Sequence, residues 1–340
     1  MNLRRPRLLI PAILTTAALV LTGCGSDDDA SSGPPAAGEK QTVRFTVFPG
    51  AMASMGVYIA DALGFFDKQG ITLEYVNVAT GSSALQVLAS GQTDFAISDV
   101  TGTATARAAG SDIVFASGQF TRFAGELACR TDLQVDGDSY PDTMKSLAGK
   151  KIGITAPGSS TDTYLRYSMI EAGVDPAQAQ IIPIGGIPQL VAAMQSGNVD
   201  CVTAYQPMHQ QLGDVQVLVN WQAGEGPDTF SDYSYNGIAT SGRFAGANPD
   251  AVRKVAAAMK DAAAFGNEAG NAAEIAEKTV TFFQGFDEQV LQEVTAELAG
   301  TFGADITEQQ LQNAATVFKA VTGKDIDVSY EQLVAEPVRQ

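Results

Sequence analysis

The sequence predicts an α/β protein of two similar lobes, each built on a largely parallel sheet. Three observations carry this. Strand-like and helix-like runs alternate over residues 42–221 with the spacing of βαβ units, which implies parallel strands. A motif recurs 106 residues apart, Ser90-Gly91-Gln92-Thr93-Asp94 against Ser196-Gly197-Asn198-Val199-Asp200. The stretch 248–322 reads as amphipathic helices outside either repeat.

The first copy runs strand 42–48, helix 56–63 ending at Gly64, strand 71–78, helix 83–89, strand 94–98, helix 101–109 and strand 112–116. Gly81, Ser82 and Ser83 give the second of these helices a polar start. The second copy runs strand 151–155, helix 161–172, strand 180–184, helix 188–195, strand 200–204 and strand 215–221. In each copy the shared motif is a helix, a glycine suited to its C-cap, and an acid opening a buried strand. Leu85 and Leu88 align with Val191 and Met194 at the same offset, as do the strands around Val76 and Ile182. Segments 123–132 and 233–240 are strand-like and lead between the lobes. The boundaries follow: lobe 1 over 42–122, lobe 2 over 123–232, and a return to lobe 1 with C-terminal helices over 233–340. Asn248-Pro249-Asp250 starts a long Ala-rich helix, followed by helices over 287–298 and 307–322.

The N-terminus carries Arg4, Arg5 and Arg7, then an apolar run, then Leu21-Thr22-Gly23-Cys24. The run is short for a membrane span and contains Pro11. It resembles a bacterial lipoprotein signal. That resemblance implies a signal peptide over 1–23, lipid on Cys24, and a place on the extracytoplasmic face of the cell membrane. Residues 24–41 read as a linker, with Asp27, Asp28, Asp29, Pro34 and Pro35 and little to bury. The net charge is −17, and removal of the signal leaves 18 basic against 38 acidic residues. Such a surface disfavours nucleic acid. Besides Cys24 the chain holds Cys129 and Cys201, one pair in an oxidising compartment.

More specific signals are Tyr58-Ile59-Ala60-Asp61-Ala62-Leu63-Gly64-Phe65-Phe66-Asp67-Lys68-Gln69-Gly70-Ile71, the motif at Ser90 continued by Phe95-Ala96, Leu147-Ala148-Gly149-Lys150-Lys151-Ile152-Gly153, the motif at Ser196, and Asn248-Pro249-Asp250-Ala251-Val252. Together, over about residues 43–318, they resemble the nitrate/sulfonate/thiamine-precursor group of ABC-transporter substrate-binding proteins. The resemblance implies a periplasmic-binding-protein type II fold, two Rossmann-like lobes joined by a two-segment hinge. It further implies a monomer that closes on a small-molecule solute and delivers it to ABC permease subunits, with no cofactor and no catalysis. In that fold segment 123–132 lies antiparallel beside strand 200–204, so Cys129 and Cys201 either form a disulfide or remain two buried free thiols.

Ligands of open parallel sheets bind beyond the carboxyl ends of the strands. That selects the loops at 49–55, 80–83, 98–101, 157–161, 185–186 and 205–207. Ser82, Ser83, Ser159, Ser160 and Thr161 sit at helix starts that favour an anionic or acceptor group, or simply cap those helices. Met52, Ser54, Asp99, Tyr205 and Tyr235 fall at strand ends or crossings, and Arg122 offers a guanidinium clamp or pairs with Glu126. The expected solute is a small anionic organic molecule, sulfonate-like or a carboxylate. The loop Gly50-Ala51-Met52-Ala53-Ser54-Met55 has no charge, which argues against nitrate.

Chemistry is sparse. His209 is the one histidine, with neither a Gly-x-Ser-x-Gly elbow nor a phosphate loop. Asp136, Asp138 and Asp142 miss calcium-loop spacing and no metal site is expected. Two other readings share the fold: an enzyme resembling pyrimidine-precursor synthases, and a surface sensory or adhesion protein.

Overall fold

A computed structural model describes residues 40–339. The expected signal at 1–23, the expected lipid site at Cys24 and the expected linker up to residue 39 lie outside the described residues. In chain order the strands are β1 (Gln41–Val47), β2 (Ile71–Asn77), β3 (Phe95–Asp99), β4 (Ile113–Phe120), β5 (Gly125–Arg130), β6 (Lys151–Ile154), β7 (Gln180–Pro183), β8 (Cys201–Tyr205), β9 (Val215–Asn220) and β10 (Asn236–Ser241). They form two five-stranded sheets, β2-β1-β3-β10-β4 and β7-β6-β8-β5-β9. The orders are equivalent, with β1, β2 and β3 corresponding to β6, β7 and β8. In each sheet the antiparallel strand next to the edge, β10 or β5, is the one that follows a crossing. The fold is that of the periplasmic binding proteins.

The repeated motif does the same physical work twice. Gly91 and Gly197 take positive φ of 75° and 70° after their helices. The following amides close back on the last turn, Gln92 N–H to Val87 O at 3.1 Å and Asn198 N–H to Ala193 O at 3.0 Å. The acid then reaches sideways. Asp94 Oδ2 accepts from Arg44 N–H of β1, and Asp200 Oδ2 from Lys151 N–H of β6, each at 2.8 Å. Each carboxylate thereby fixes the start of one strand against the next.

The helices are α1 (Met55–Ala62), α2 (Phe65–Lys68), α3 (Gly81–Ala89), α4 (Val100–Ala108), α5 (Ser160–Glu171), α6 (Ile187–Gln195), α7 (His209–Leu212), α8 (Gly242–Ala247), α9 (Pro249–Gly266), α10 (Ala272–Thr279), α11 (Glu288–Glu297), α12 (Glu308–Thr322) and α13 (Tyr330–Leu333). The long α9 packs on α1, α2 and β4. α12 differs: it touches both α4 of the first lobe and α5 of the second. β4 runs to Phe120, beyond the expected end at 116, because it is buried along its whole length and carries no alternation to mark an end. Among the described residues no helix is long and apolar enough to cross a membrane.

Rings collect where the chain crosses. Phe123 lies 4.6 Å from Tyr164, 5.0 Å from Tyr235, 5.3 Å from Tyr205 and 5.7 Å from Trp221, between ring centroids. Tyr164 stacks on Phe230 at 4.1 Å. Aromatic pairs at these separations add attraction beyond their buried area. Behind them His209 of α7 pairs with the buried Glu126 carboxylate of β5, which raises the pKa of the imidazole.

Cys129 of β5 stands directly opposite Cys201 of β8, and a disulfide joins them. The bond spans 72 residues of sequence. Loop-closure entropy for that span gives an upper figure of about 4 kcal/mol. The Cys129→Ser, Cys201→Ser double variant should lose stability up to that amount in denaturant titration. Wild type unfolded without reductant should show neither of these thiols to Ellman's reagent.

Candidate functional site

The carboxyl ends of the parallel strands in the two sheets enclose a cavity of about 400 Å³. The first lobe contributes Phe48, Pro49, Ala51, Ala53, the run from Asn77 to Gly81, and Ile97 to Asp99. The second contributes Thr155, Ser159, Ser160, Gly186 to Gln189 and Tyr205, and the second crossing adds Tyr235 and Asn236. Three helices begin at this wall. Thr80 caps α3, Ser159 is the N-cap residue of α5, and Gly186 opens α6, whose first turn contains Pro188. Their dipoles place partial positive charge toward the cavity.

Asp99 holds a fourth helix start. It is the N-cap of α4, and its Oδ1 accepts from Gly102 N–H at 2.6 Å. A Cβ on residue 102 would sit 2.9 Å from Asp99 Oδ2, so a larger residue there would make this carboxylate shift. Asn236 is positioned from behind. Gln119 Nε2 donates to Asn236 Oδ1 at 3.2 Å and to Ala53 O at 2.7 Å, while its Oε1 accepts from Val57 N–H at the start of α1.

Of the residues selected from sequence, Asp99, Ser159, Ser160, Tyr205 and Tyr235 border the cavity. The others do not. Met52 is fully buried, and its N–H bonds Gln206 O across the lobes at 3.1 Å. Ser54 Oγ accepts from Phe48 N–H at 2.8 Å and so staples the loop after β1. Ser82 is exposed on α3, outside the cavity wall. Ser83 completes a capping box with Thr80, its hydroxyl spent on Thr80 O at 2.7 Å. Thr161 Oγ1 accepts from Thr155 N–H at 3.0 Å beneath the cavity. Arg122 is exposed beside Gly224 in a separate surface recess. It does not pair with Glu126, whose carboxylate is taken by His209. Asn77, Thr155, Gln189 and Asn236 border the cavity without having been selected. Their only sequence signal was a polar side chain at or near a strand or helix end.

The electrostatics of the wall are one-sided. Among the described residues no Lys, Arg or His borders the cavity. Asp99 is half-buried there, and loss of solvation raises its pKa from 3.8 to about 6, against the opposing help of backbone N–H groups. Burial also pushes the phenols of Tyr205, Tyr233 and Tyr235 up, and the nearby Asp99 charge adds to each. Among the described residues no cluster of His, Cys, Asp and Glu could hold a metal ion.

The raised pKa means that ionising Asp99 costs the folded state. The stability of the protonated form is complete below the unfolded value and is lost as pH rises through about 6. Asp99→Asn keeps an acceptor for the helix cap and removes that cost. In thermal or urea unfolding without ligand, the variant should be more stable than wild type at pH 8, by at most about 3 kcal/mol. The difference should shrink toward zero at pH 4. Equal stability at pH 8 would contradict the assignment.

Comparison with known proteins agrees with the fold. Residues 51–273 match the family model described as NMT1/THI5 like. The nitrate/nitrite binding protein NrtA of Nostoc sp. is 26% identical over 148 residues, covering 42% of this chain and 33% of that protein, so the match spans a third of the relative's length. A solved protein of Bordetella bronchiseptica RB50 superposes with a TM-score of 0.73 at 22% identity, over 88% of this chain and 96% of that one. The alkanesulfonate-binding protein SsuA of Xanthomonas axonopodis pv. citri, solved with MOPS bound, gives 0.67 at 18% identity, over 88% and 98%. With two thirds of its length matched by the family model, the chain belongs to the NMT1/THI5-like family.

Proposed function

We propose that the chain is an extracytoplasmic solute-binding protein, anchored by lipid at Cys24, that captures a compact organic solute between its lobes and delivers it to an ABC importer. The observation that carries this is the cavity itself. It lies between two equivalent sheets, at the carboxyl ends of their strands, and takes its wall from both lobes and one crossing. A binder of this design couples ligand to closure, and a permease reads the closed form. The volume falls in the range of organic-ligand pockets and exceeds what nitrate, the ligand named for NrtA, needs. The binding function requires no chemistry from the chain. The enzyme alternative gains nothing from His209, which is bonded to Glu126 and does not border the cavity.

One observation favours an anionic organic solute such as a carboxylate or a sulfonate, the latter being the class named for the SsuA relative. The starts of α3, α5 and α6 converge on the cavity, and helix N-termini attract anions.

Two measurements test the proposal. A bound solute at roughly 100 times its dissociation constant should add about 2.7 kcal/mol to stability and reduce the radius of gyration in small-angle scattering. A tight binder that leaves the radius unchanged would count against closure. The mature protein should sediment with membranes, and Cys24→Ala should release it or leave the precursor uncleaved. An unlipidated mature chain in intact-mass spectra would remove the anchor from the proposal.

A further inference from the structure

We propose that Asn236 holds the solute's anionic group as a hydrogen-bond donor, through Nδ2, and that Gln119 is the positioning residue that fixes which end of this amide serves the solute. This deepens the solute-binding reading and rests on it. Both side chains are buried, Asn236 on the cavity wall and Gln119 behind it. An amide carries an acceptor oxygen and a donor NH2 of nearly the same shape. Its sign toward a ligand is therefore set only by the neighbours that choose between the two ends.

The choice starts at the backbone. Gln119 Oε1 accepts from Val57 N–H at 3.2 Å, in the first turn of α1, and Nε2 donates to Ala53 O at 2.7 Å. Turned over, this amide would set a donor against an N–H and an oxygen against a carbonyl. A backbone group cannot reverse its role, so the orientation of Gln119 is settled. Its Nε2 also donates to Asn236 Oδ1 at 3.2 Å, which spends the Asn236 oxygen inside the core. Asn236 Nδ2 in turn donates to Ala53 O at 3.3 Å. A reversed Asn236 would face like against like at both contacts. The polarity of one helix-start N–H is thus passed through two side chains to the wall.

Nδ2 carries two hydrogens. Ala53 O takes one over a long contact, and that oxygen already accepts from Gln119 at a shorter distance. The second hydrogen bonds no protein acceptor among the described residues. An enclosed donor without a partner is costly, and a solute oxygen supplies the partner. The donor cannot drift away from the site. β10 lies between β3 and β4, with Asn236 opposite Asp99 on one side and Phe120 on the other. The backbone of Gln119 is held as well, its carbonyl accepting from Gly303 N–H at 2.9 Å. The register also sets Asn236 beside Asp99, the one acid of the wall among the described residues. A donor fixed there offsets part of the repulsion that an anion meets from the ionised carboxylate.

The test measures benzenesulfonate, ethanesulfonate and benzoate by calorimetry on the full chain in detergent, at about pH 5, below the raised pKa of Asp99. Asn236→Ala should weaken the tightest of these anions by roughly 10- to 100-fold, the worth of a charge-assisted hydrogen bond. Gln119→Met keeps the length of the side chain and makes neither bond. It should weaken the same anion by about 3- to 10-fold with Asn236 present, and by less than about twofold in the Asn236→Ala background. A Gln119 that only supports the fold would cost the same in both backgrounds, and that result would overturn its positioning role. Unchanged affinity in Asn236→Ala would overturn the inference and leave the solute-binding reading standing. Should the variants fail to fold, a crystal structure of wild type with the anion decides. A sulfonate or carboxylate oxygen within hydrogen-bond distance of the Asn236 amide supports the inference, because such an oxygen can only accept, and an anion bound elsewhere overturns it. If none of these anions binds wild type, the anionic reading and this inference fall together.

Discussion

The structure depends on the second crossing. Each sheet holds one antiparallel strand that follows a crossing: β5 the first, and β10 the second. The second sheet is drawn from one continuous stretch, β5 to β9, but the first is complete only when the chain returns from the second lobe and lays β10 between β3 and β4. The carboxyl ends of both sets of parallel strands border one cavity, with two chain crossings beside it. Phe123, just before β5, and Tyr235, just before β10, meet at 5.0 Å with Tyr164 and Trp221 packed around them. The crossings thus gather rings, of which Tyr205 and Tyr235 border the cavity.

Support for the site comes from the same elements. The disulfide ties β5 to β8, which ends at Tyr205 on the cavity wall. On the other side Gln119, at the end of β4, holds Asn236 of β10 and the start of α1 together. A buried amide placed this way has little rotamer freedom, and Gly56 shows how tight it is. A Cβ there would stand 2.7 Å from the Gln119 side chain. The polar groups that face the solute are therefore fixed by strands and helix ends rather than by mobile loops, which suits a receptor that discriminates by position.

The fold was legible because its signals are repeated and local. A glycine C-cap followed by an acid that pins the neighbouring strand must occur wherever this unit occurs, and it occurs twice. The straddling of α12 was not legible, since its apolar stripe says only that it packs, and not that α4 and α5 share it. The site was legible at the level of loops and poorly at the level of residues. Ser54, Ser83 and Thr161 have the composition of ligand donors, yet each spends its hydroxyl on a loop or cap. Capping and binding ask for the same small polar residues at the same helix ends, so sequence alone cannot separate them. Arg122 lies away from the cavity for a different reason. It lies two residues past the end of β4, where a turn carries its side chain to the outer surface beside Gly224. An anion was expected from helix ends and a guanidinium; the wall presents those helix ends together with a carboxylate, and among the described residues no cation.

That carboxylate connects binding to motion. Contacts that join the lobes include the rings at the crossings, α12 against α4 and α5, and polar pairs such as Met52 N–H to Gln206 O and Gln222 to Glu297. The polar pairs are exchanged for water at small net cost. The buried charge of Asp99 opposes closure above its raised pKa of about 6, because separating the lobes would return it to solvent. Differential interaction with two states is what a ligand needs in order to shift their populations. On the proposed solute-binding reading, a solute that offers Asp99 a hydrogen-bond donor removes that penalty in the closed form alone, and Asp99 thereby links occupancy to closure.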